Sequence, residues 1–163
     1  MESLRSALAL ERQRAELHAQ TLQQELQAAQ GRVRQLEADL SRLRASVAAE
    51  LFSQSDLEEY RNALTSNRAS IGRTLLFETH PTGSFTSVSS PVATLSTDRR
   101  SLYAQYTVRW VSAFDSRYST TYRVVVSKGS VDRVEVVSDG ALINVEPSFL
   151  RDAQRRLHRE LFG

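Results

Sequence analysis

The sequence has no cysteine, only three prolines and no long apolar run. Without cysteine, disulfides and thiolate-bound metal sites are excluded. Because a membrane-spanning helix needs roughly 18 or more apolar residues, none is predicted. The first residues also lack the basic and apolar regions of a secretory signal. We therefore expect an intracellular, soluble protein without membrane contact, and the nucleus is one compartment compatible with this composition.

Lysine is nearly absent as well, because Lys128 is the only one among the 163 residues and every other strong base is arginine. Residues 1–66 carry 8 basic and 10 acidic residues, whereas residues 67–163 carry 13 and 9. An arginine bias suits bidentate contacts to anions, although a GC-rich genome explains it equally well. The charge is therefore unevenly distributed, with a net of −2 in residues 1–66 and +4 in residues 67–163.

The first third of the chain carries a heptad repeat of small and apolar residues. About five heptads are sustained, which favours a coiled coil over a single amphipathic helix. A helix packed on the rest of the same chain is the alternative, but the polar circumference is too wide for it. We predict a dimerising coiled coil over residues 1–52. Its d positions are Leu8, Ala15, Leu22, Ala29, Leu36 and Leu43, and its a positions are Ala19, Leu26, Val33, Leu40 and Val47.

The second half of this repeat specifies the dimer best. β-Branched residues at a with leucine at d favour parallel pairs. In a parallel pair Arg32 would face Glu37 of the second chain, and Asp39 would face Arg44, so both contacts are attractive. Upstream, alanines make the interface thin, and that end frays or accepts another partner. A parallel homodimer is predicted, with a heterodimer left open. The predicted interface consists of Leu22, Leu26, Val33, Leu36, Leu40, Leu43 and Val47, flanked by Arg32, Glu37, Asp39 and Arg44.

A short second helix is predicted over residues 53–66. Ser55 and Glu58 have the spacing of a capping box, and Leu57, Tyr60 and Leu64 recur at helical spacing. We expect a break or kink near 53–55, and an unbroken helix is the alternative.

From Ile71 the period of the apolar residues changes from helical to two, which predicts an α+β domain over residues 67–163. The alternation is strongest in residues 102–137 and indicates an antiparallel meander with one buried face. A terminal helix after Pro147 would pack on that face with an apolar stripe made of Leu150, Ala153, Leu157 and Leu161. The remaining predictions are a strand at 73–79, an irregular or edge hairpin to residue 90, a strand at 92–97 and a short strand at 141–145.

The register of the meander follows from its turns. A loop at residues 115–117 would place Trp110 opposite Tyr122, and it would make Arg109 and Arg123 neighbours on the polar face. The next turn must have an odd length to align Val124 with Val134, because a one-residue slip exchanges the two faces. Gly129 would then take the left-handed position of a bulged hairpin.

No motif for catalysis or cofactor binding is present. The three histidines, His18, His80 and His158, do not stand at metal-ligand spacing. Phosphate-binding glycine loops and nucleophile motifs are missing too. We therefore predict a non-enzymatic protein with no catalytic residue, no cofactor and no metal.

Candidate binding residues lie in the C-terminal domain. A partner protein could contact Arg109 and Arg123 on the polar sheet face, or Phe114 and Tyr118 at its aromatic edge, although flexible solvated arginines are the alternative. A ligand pocket lined by Tyr106, Trp110 and Tyr122 is another hypothesis, against plain core packing. Nucleic acid could contact the basic side of the last helix, which carries Arg151, Arg155, Arg156 and Arg159. Ser90, which precedes Pro91, is a candidate phosphorylation site.

The order of elements resembles the small coiled-coil subunits of eukaryotic kinetochores that end in RWD-like domains, such as monopolin or the small subunits of the Ndc80 complex. The heptads of residues 8–47, the strands of 102–137 and the helix after Pro147 carry this resemblance. It implies a homodimeric scaffold or adaptor that docks proteins through paired globular heads. A cystatin- or NTF2-like curved sheet, with ligand binding, fits the strands as well.

Overall fold

A single helix of 49 residues opens the chain in the computed structural model, which describes residues 2–163. The protein is α+β, as predicted, with a five-stranded antiparallel sheet and a C-terminal helix. The elements in chain order are α1 (Glu2–Glu50), α2 (Gln54–Ser66), α3 (Arg68–Thr79), β1 (Ser84–Val88), β2 (Val92–Leu95), β3 (Leu102–Val111), β4 (Arg117–Ser127), β5 (Ser130–Asp139) and α4 (Pro147–Phe162).

The chain divides into two compact units, one ending at Ala48 and the other running from Ala49 to Gly163. We call the second unit the head. It includes α2, and Phe52 is buried in its core. No residue of α1 is buried.

The predicted break near residues 53–55 is confirmed, because α1 ends at Glu50 and α2 begins at Gln54. The predicted cap was wrong by two residues. Ser53 is the N-cap: its hydroxyl accepts a hydrogen bond from the backbone N–H of Asp56 at 3.1 Å. In return the Asp56 carboxylate accepts the Ser53 backbone N–H at 2.9 Å. Ser55 cannot cap α2, since it lies inside the helix.

The strand predicted at residues 73–79 is wrong, because this segment belongs to helix α3. Ile71 and Leu75, one helical turn apart, are both fully buried. A short apolar run does not by itself distinguish a buried helix from a buried strand. Gly72 allows the close packing of α3, since a Cβ built there would lie 3.0 Å from the ring of Phe85 on β1.

The sheet has the order β1–β3–β4–β5, and β2 also pairs with β3. β1 joins the end of β3 near Trp110, while β2 joins the end near Leu102. β1 and β2 therefore follow each other along one edge of β3, and the hairpin predicted up to residue 90 does not form. The predicted strand at 92–97 is present as β2, shortened to Val92–Leu95.

The predicted register between β3 and β4 was wrong by four residues, although the faces were right. Tyr106 lies opposite Tyr122, and Trp110 lies opposite Tyr118. The turn is centred two residues earlier than predicted, because the Ser112 N–H donates to the Ser116 carbonyl at 2.8 Å. An even shift keeps each side chain on its face. Arg109 is consequently opposite Ser119 and is not a neighbour of Arg123.

The register between β4 and β5 is as predicted at Val124, which pairs with Val134. The predicted odd length of the turn was wrong, because two residues separate the strands and a register shift between Val125 and Val126 gives the alignment instead. Gly129 takes the left-handed conformation expected of it, with φ of +80°. The predicted strand at 141–145 is absent: no strand is assigned between β5 and α4. Leu142 has φ of +55° there, which is incompatible with a regular strand.

Helices α3 and α4 pack together against the apolar face of the sheet, α3 over β1 and β3 and α4 over β5. Ala153 and Leu157 of α4 are fully buried, and Leu150 and Leu161 pack at the margin of the core. This is the apolar stripe predicted for the terminal helix. The core also contains Tyr106, whose hydroxyl donates to the Leu64 carbonyl of α2 at 3.0 Å; burial raises the pKa of this phenol.

Candidate functional site

The apolar stripe of α1 is uncovered along its length. Its six large residues from Leu22 to Leu43 are 45–66% exposed, and Val47 is half-buried. Large contiguous apolar surfaces are rare on monomeric proteins and mark contact sites. The structure thus places the predicted dimer residues on an accessible helix face. Those six residues are Leu22, Leu26, Val33, Leu36, Leu40 and Leu43.

The charged residues beside this stripe are also exposed. Within the chain, Asp39 forms an ion pair with Arg42 one turn away and accepts a hydrogen bond from Gln35 at 3.1 Å. Asp39 would have to share its carboxylate between Arg42 and Arg44 of a second chain. Arg32, Glu37 and Arg44 form no side-chain ion pair within residues 2–163, so they are available for contacts between chains.

The polar face of the sheet carries Arg123 between two neighbours. Its guanidinium donates to the Glu135 carboxylate at 3.2 Å. On the other side it is opposite Gln105 of β3. A groove of about 390 Å³ on this face is lined by Arg123 and Gln105 together with Val92, Thr94 and Tyr103. The groove combines an aromatic ring, an amide and a partly neutralised guanidinium.

Arg109 and Tyr118 share a second groove, of about 530 Å³, at the other end of β3. The Tyr118 ring packs on the Trp110 ring at a tilt of 40°, with ring centroids 5.1 Å apart, whereas Arg109 is exposed. Phe114 is 91% exposed at the tip of the β3–β4 turn. The structure therefore brings Arg109 and Tyr118 together and places Arg123 in a different groove.

The arginines of α4 are not equivalent. Arg156 forms ion pairs at 3.3 Å with Glu78 and with Glu160, and it lies over the ring of Phe77. Its positive charge is therefore compensated by carboxylates of the head. Arg155 lies 3.8 Å from Asp152, while Arg151 and Arg159 have no ion pair among the residues that the structure describes. The basic surface available to nucleic acid is therefore smaller than the sequence suggested.

Ser90 is exposed in the segment between β1 and β2. Its neighbour Ser89 holds this segment to β3, because the backbone N–H groups of Ser89 and Thr107 each donate to the other residue. Ser90 is thus accessible on an ordered edge, which is compatible with the predicted phosphorylation site.

A buried polar network joins α3 to the sheet, and no sequence pattern predicted it. His80, whose side chain is 1% exposed, contacts the Asp139 carboxylate through Nε2 at 2.8 Å. Its Nδ1 is 2.8 Å from the Thr79 hydroxyl, which is itself 2.6 Å from the Tyr122 hydroxyl. Burial raises the pKa of Tyr122 to about 12, so this phenol keeps its proton at neutral pH.

The same network extends to the ends of β3 and β4. The Trp110 indole N–H donates to the Thr120 hydroxyl at 3.0 Å, and that hydroxyl donates to Asp139 at 3.0 Å. The sequence signal was weak, since His80 preceded a proline turn and Asp139 began a turn. Only the folded sheet brings residues 80, 122 and 139 together.

The aromatic residues considered as a ligand pocket form core instead. Tyr106 and Tyr122 are fully buried, and Trp110 is 3% exposed. Their polar atoms bond to protein groups. Packed aromatics with satisfied hydrogen bonds leave no room for a ligand between them.

Within residues 2–163, no three histidine or carboxylate side chains are grouped so that they could hold a metal ion. None of the helices described there is long and apolar enough to cross a membrane. No family model matches the sequence, and comparisons with curated proteins and with solved structures found no significant match. The resemblance to kinetochore subunits and the RWD-like or NTF2-like assignments therefore stay predictions.

Proposed function

We propose that the protein is a non-enzymatic scaffold or adaptor that dimerises in parallel through α1 and binds partner proteins with two copies of its head. The uncovered apolar stripe on a 49-residue helix is the observation that carries this proposal. Such a stripe is stable in water only when a second helix covers it. The periodicity of 3 and 4 residues is that of helices pairing along a seam.

Charge supports a second copy of this chain as the covering helix. In a parallel pair, each flank between residues 32 and 44 has an arginine opposite a carboxylate. Attractive pairs at these positions set partner choice and orientation. A dimer then carries two heads, and two weak contacts on one dimer gain avidity through effective concentration.

The groove shared by Arg109 and Tyr118 is the partner-binding surface that we favour. It combines an exposed guanidinium with an aromatic ring, residue types that are enriched at protein interfaces. Arg123 is less suited, because Glu135 already neutralises part of its charge. An acidic peptide segment fits this chemistry.

Sedimentation equilibrium of the full chain at micromolar concentration tests the dimer. The double substitution Leu36→Glu and Leu40→Glu places charges on the stripe and should give a monomer. The control, Ala38→Glu with Ser41→Glu, adds the same charge on the opposite side of α1 and should leave the dimer intact. A wild-type monomer, or equal dissociation of both variants, would refute the proposal.

A further inference from the structure

We propose that His80 is doubly protonated in the folded head, so that a buried His80–Asp139 ion pair locks α3 to the sheet. This inference is independent of the proposed scaffold function. It rests on the number of protons that the hydrogen bonds around the histidine ring require.

The Thr79 hydroxyl is the centre of this count. Its oxygen is 2.6 Å from the Leu75 carbonyl, 2.6 Å from the Tyr122 hydroxyl and 2.8 Å from Nδ1 of His80. A carbonyl oxygen can only accept, so the hydroxyl proton of Thr79 belongs to Leu75. A hydroxyl oxygen can accept two further hydrogen bonds. Those two come from the Tyr122 O–H and from a proton on Nδ1.

A neutral ring leaves one contact of the network without a proton, because either Nδ1 is bare against the Thr79 hydroxyl or Nε2 is bare against the Asp139 carboxylate. If Nδ1 is bare, the hydroxyls of Thr79 and Tyr122 supply two protons for three contacts of 2.8 Å or less. The Tyr122 hydroxyl could instead donate to Nδ1, but these two atoms are 3.3 Å apart. The 2.6 Å contact between the hydroxyl oxygens of Tyr122 and Thr79 would then have no proton between them. Buried polar atoms left unsatisfied in this way cost stability.

Nε2, the other ring nitrogen of His80, contacts the Asp139 carboxylate, whose other partners all donate hydrogen bonds to it. Asp139 accepts from the Thr120 hydroxyl at 3.0 Å and from the Ala141 N–H at 3.1 Å, in addition to Nε2 of His80 at 2.8 Å. Hydrogen bonds of this kind favour the ionised carboxylate. With Asp139 ionised and both ring nitrogens protonated, each polar hydrogen of the network has one acceptor.

The charged and titratable groups around the ring are Asp139 of β5 and Tyr122 of β4. Tyr122 is neutral, and the Trp110 ring of β3, with its centroid 4.8 Å from that of His80, carries no charge. Asp139 is therefore the single counter-charge, and it favours the protonated ring.

His158 provides an internal control in the same head. Its Nδ1 accepts the backbone N–H of Val131 at 3.2 Å, so this nitrogen must be bare. Imidazole nitrogen NMR of the full-length, 15N-labelled protein at pH 7.5 distinguishes the two states, and the variants His18→Gln and His158→Gln assign the three signals. We expect both nitrogens of His80 to be protonated and Nδ1 of His158 to be bare. A bare Nδ1 or a bare Nε2 on His80 at pH 7.5 would overturn the proposal.

Two substitutions at position 79 test the cause. Thr79→Ser keeps the hydroxyl, so His80 should stay doubly protonated. Thr79→Val removes the oxygen that accepts from Nδ1, and the Tyr122 O–H can then donate to the ring. His80 should become neutral at pH 7.5 in the valine variant. If His80 keeps both protons in the valine variant, the proton count is wrong. The wild-type spectrum decides the matter even where the valine variant does not fold.

Discussion

At the scale of single residues, the start of α2 depends on Ser53. Its side chain accepts the N–H of Asp56, one of the backbone donors that a helix leaves without a partner. Ser53→Ala should destabilise the head by about 1 kcal/mol, the usual effect of losing an N-cap. Ser55→Ala, two residues later within the helix, is the matched control and should have a much smaller effect. Chemical denaturation of both variants measures the difference; equal losses would contradict the assignment of the cap.

Asp56 gives this cap an acid limit. The pKa of the Asp56 carboxyl is lowered from 3.8 to about 2, first by the hydrogen bond from the Ser53 backbone N–H and then by the Ser53 hydroxyl and by Lys128. The Lys128 ammonium lies 3.1 Å from this carboxylate. A lowered pKa in the folded state adds stability above pH 3.8 that is lost as pH falls towards 2. Asp56→Asn should flatten the loss of melting temperature between pH 4 and pH 2. An unchanged acid profile in this variant would show that the carboxylate contributes nothing there.

At the scale of elements, two glycines in helices have opposite surroundings. A Cβ at Gly72 of α3 would lie 3.0–3.2 Å from Phe85 and Val88, whereas nothing lies within 4 Å of Gly31 on α1. Gly72→Ala should therefore cost about 1–3 kcal/mol by overpacking. Gly31→Ala should stabilise α1 by up to about 1 kcal/mol through helix propensity. Thermal unfolding followed by circular dichroism measures both, and stabilisation by Gly72→Ala would contradict the close packing of α3 on β1.

The direction of the helices in the dimer can be tested because the chain has no cysteine. In a parallel pair each residue of the stripe meets its own copy. Val33→Cys should form a disulfide between chains on mild oxidation. Ala38→Cys, on the opposite side of α1, should not. Failure of Val33→Cys to cross-link in a protein that sediments as a dimer would indicate antiparallel helices.

Periodicity predicted the elements whose neighbours are close in sequence. The β3–β4 and β4–β5 pairs and the α4 stripe followed from alternation and helical spacing. The predictions were wrong where a contact between residues distant in the sequence determines the structure. Residues 73–79 form a helix because their apolar side chains cover the sheet, and the β3–β4 turn is set by Ser112 and Ser116, which any short polar loop resembles. The network of His80 and Asp139 depends on a contact across 59 residues, which no local pattern encodes.

At the scale of the whole molecule, the melting temperatures of the two units should depend differently on protein concentration. If α1 is held by a second chain, its melting temperature rises with protein concentration, since association stabilises the folded state by mass action. The head has its own core, so its melting should not depend on concentration. Trp110, the single tryptophan, is buried in the head and reports on it alone in near-ultraviolet circular dichroism. Far-ultraviolet signal includes the 49 residues of α1.

We therefore expect a tenfold increase in concentration to raise the melting of the helical signal and to leave the tryptophan signal unchanged. The Leu36→Glu, Leu40→Glu variant should lose the concentration dependence and keep the tryptophan transition. The Ala38→Glu, Ser41→Glu control should behave as the wild type. A tryptophan transition that moves with concentration would mean that heads contact each other in the dimer. The two binding surfaces would then form one joint interface, and avidity from separate heads would not apply.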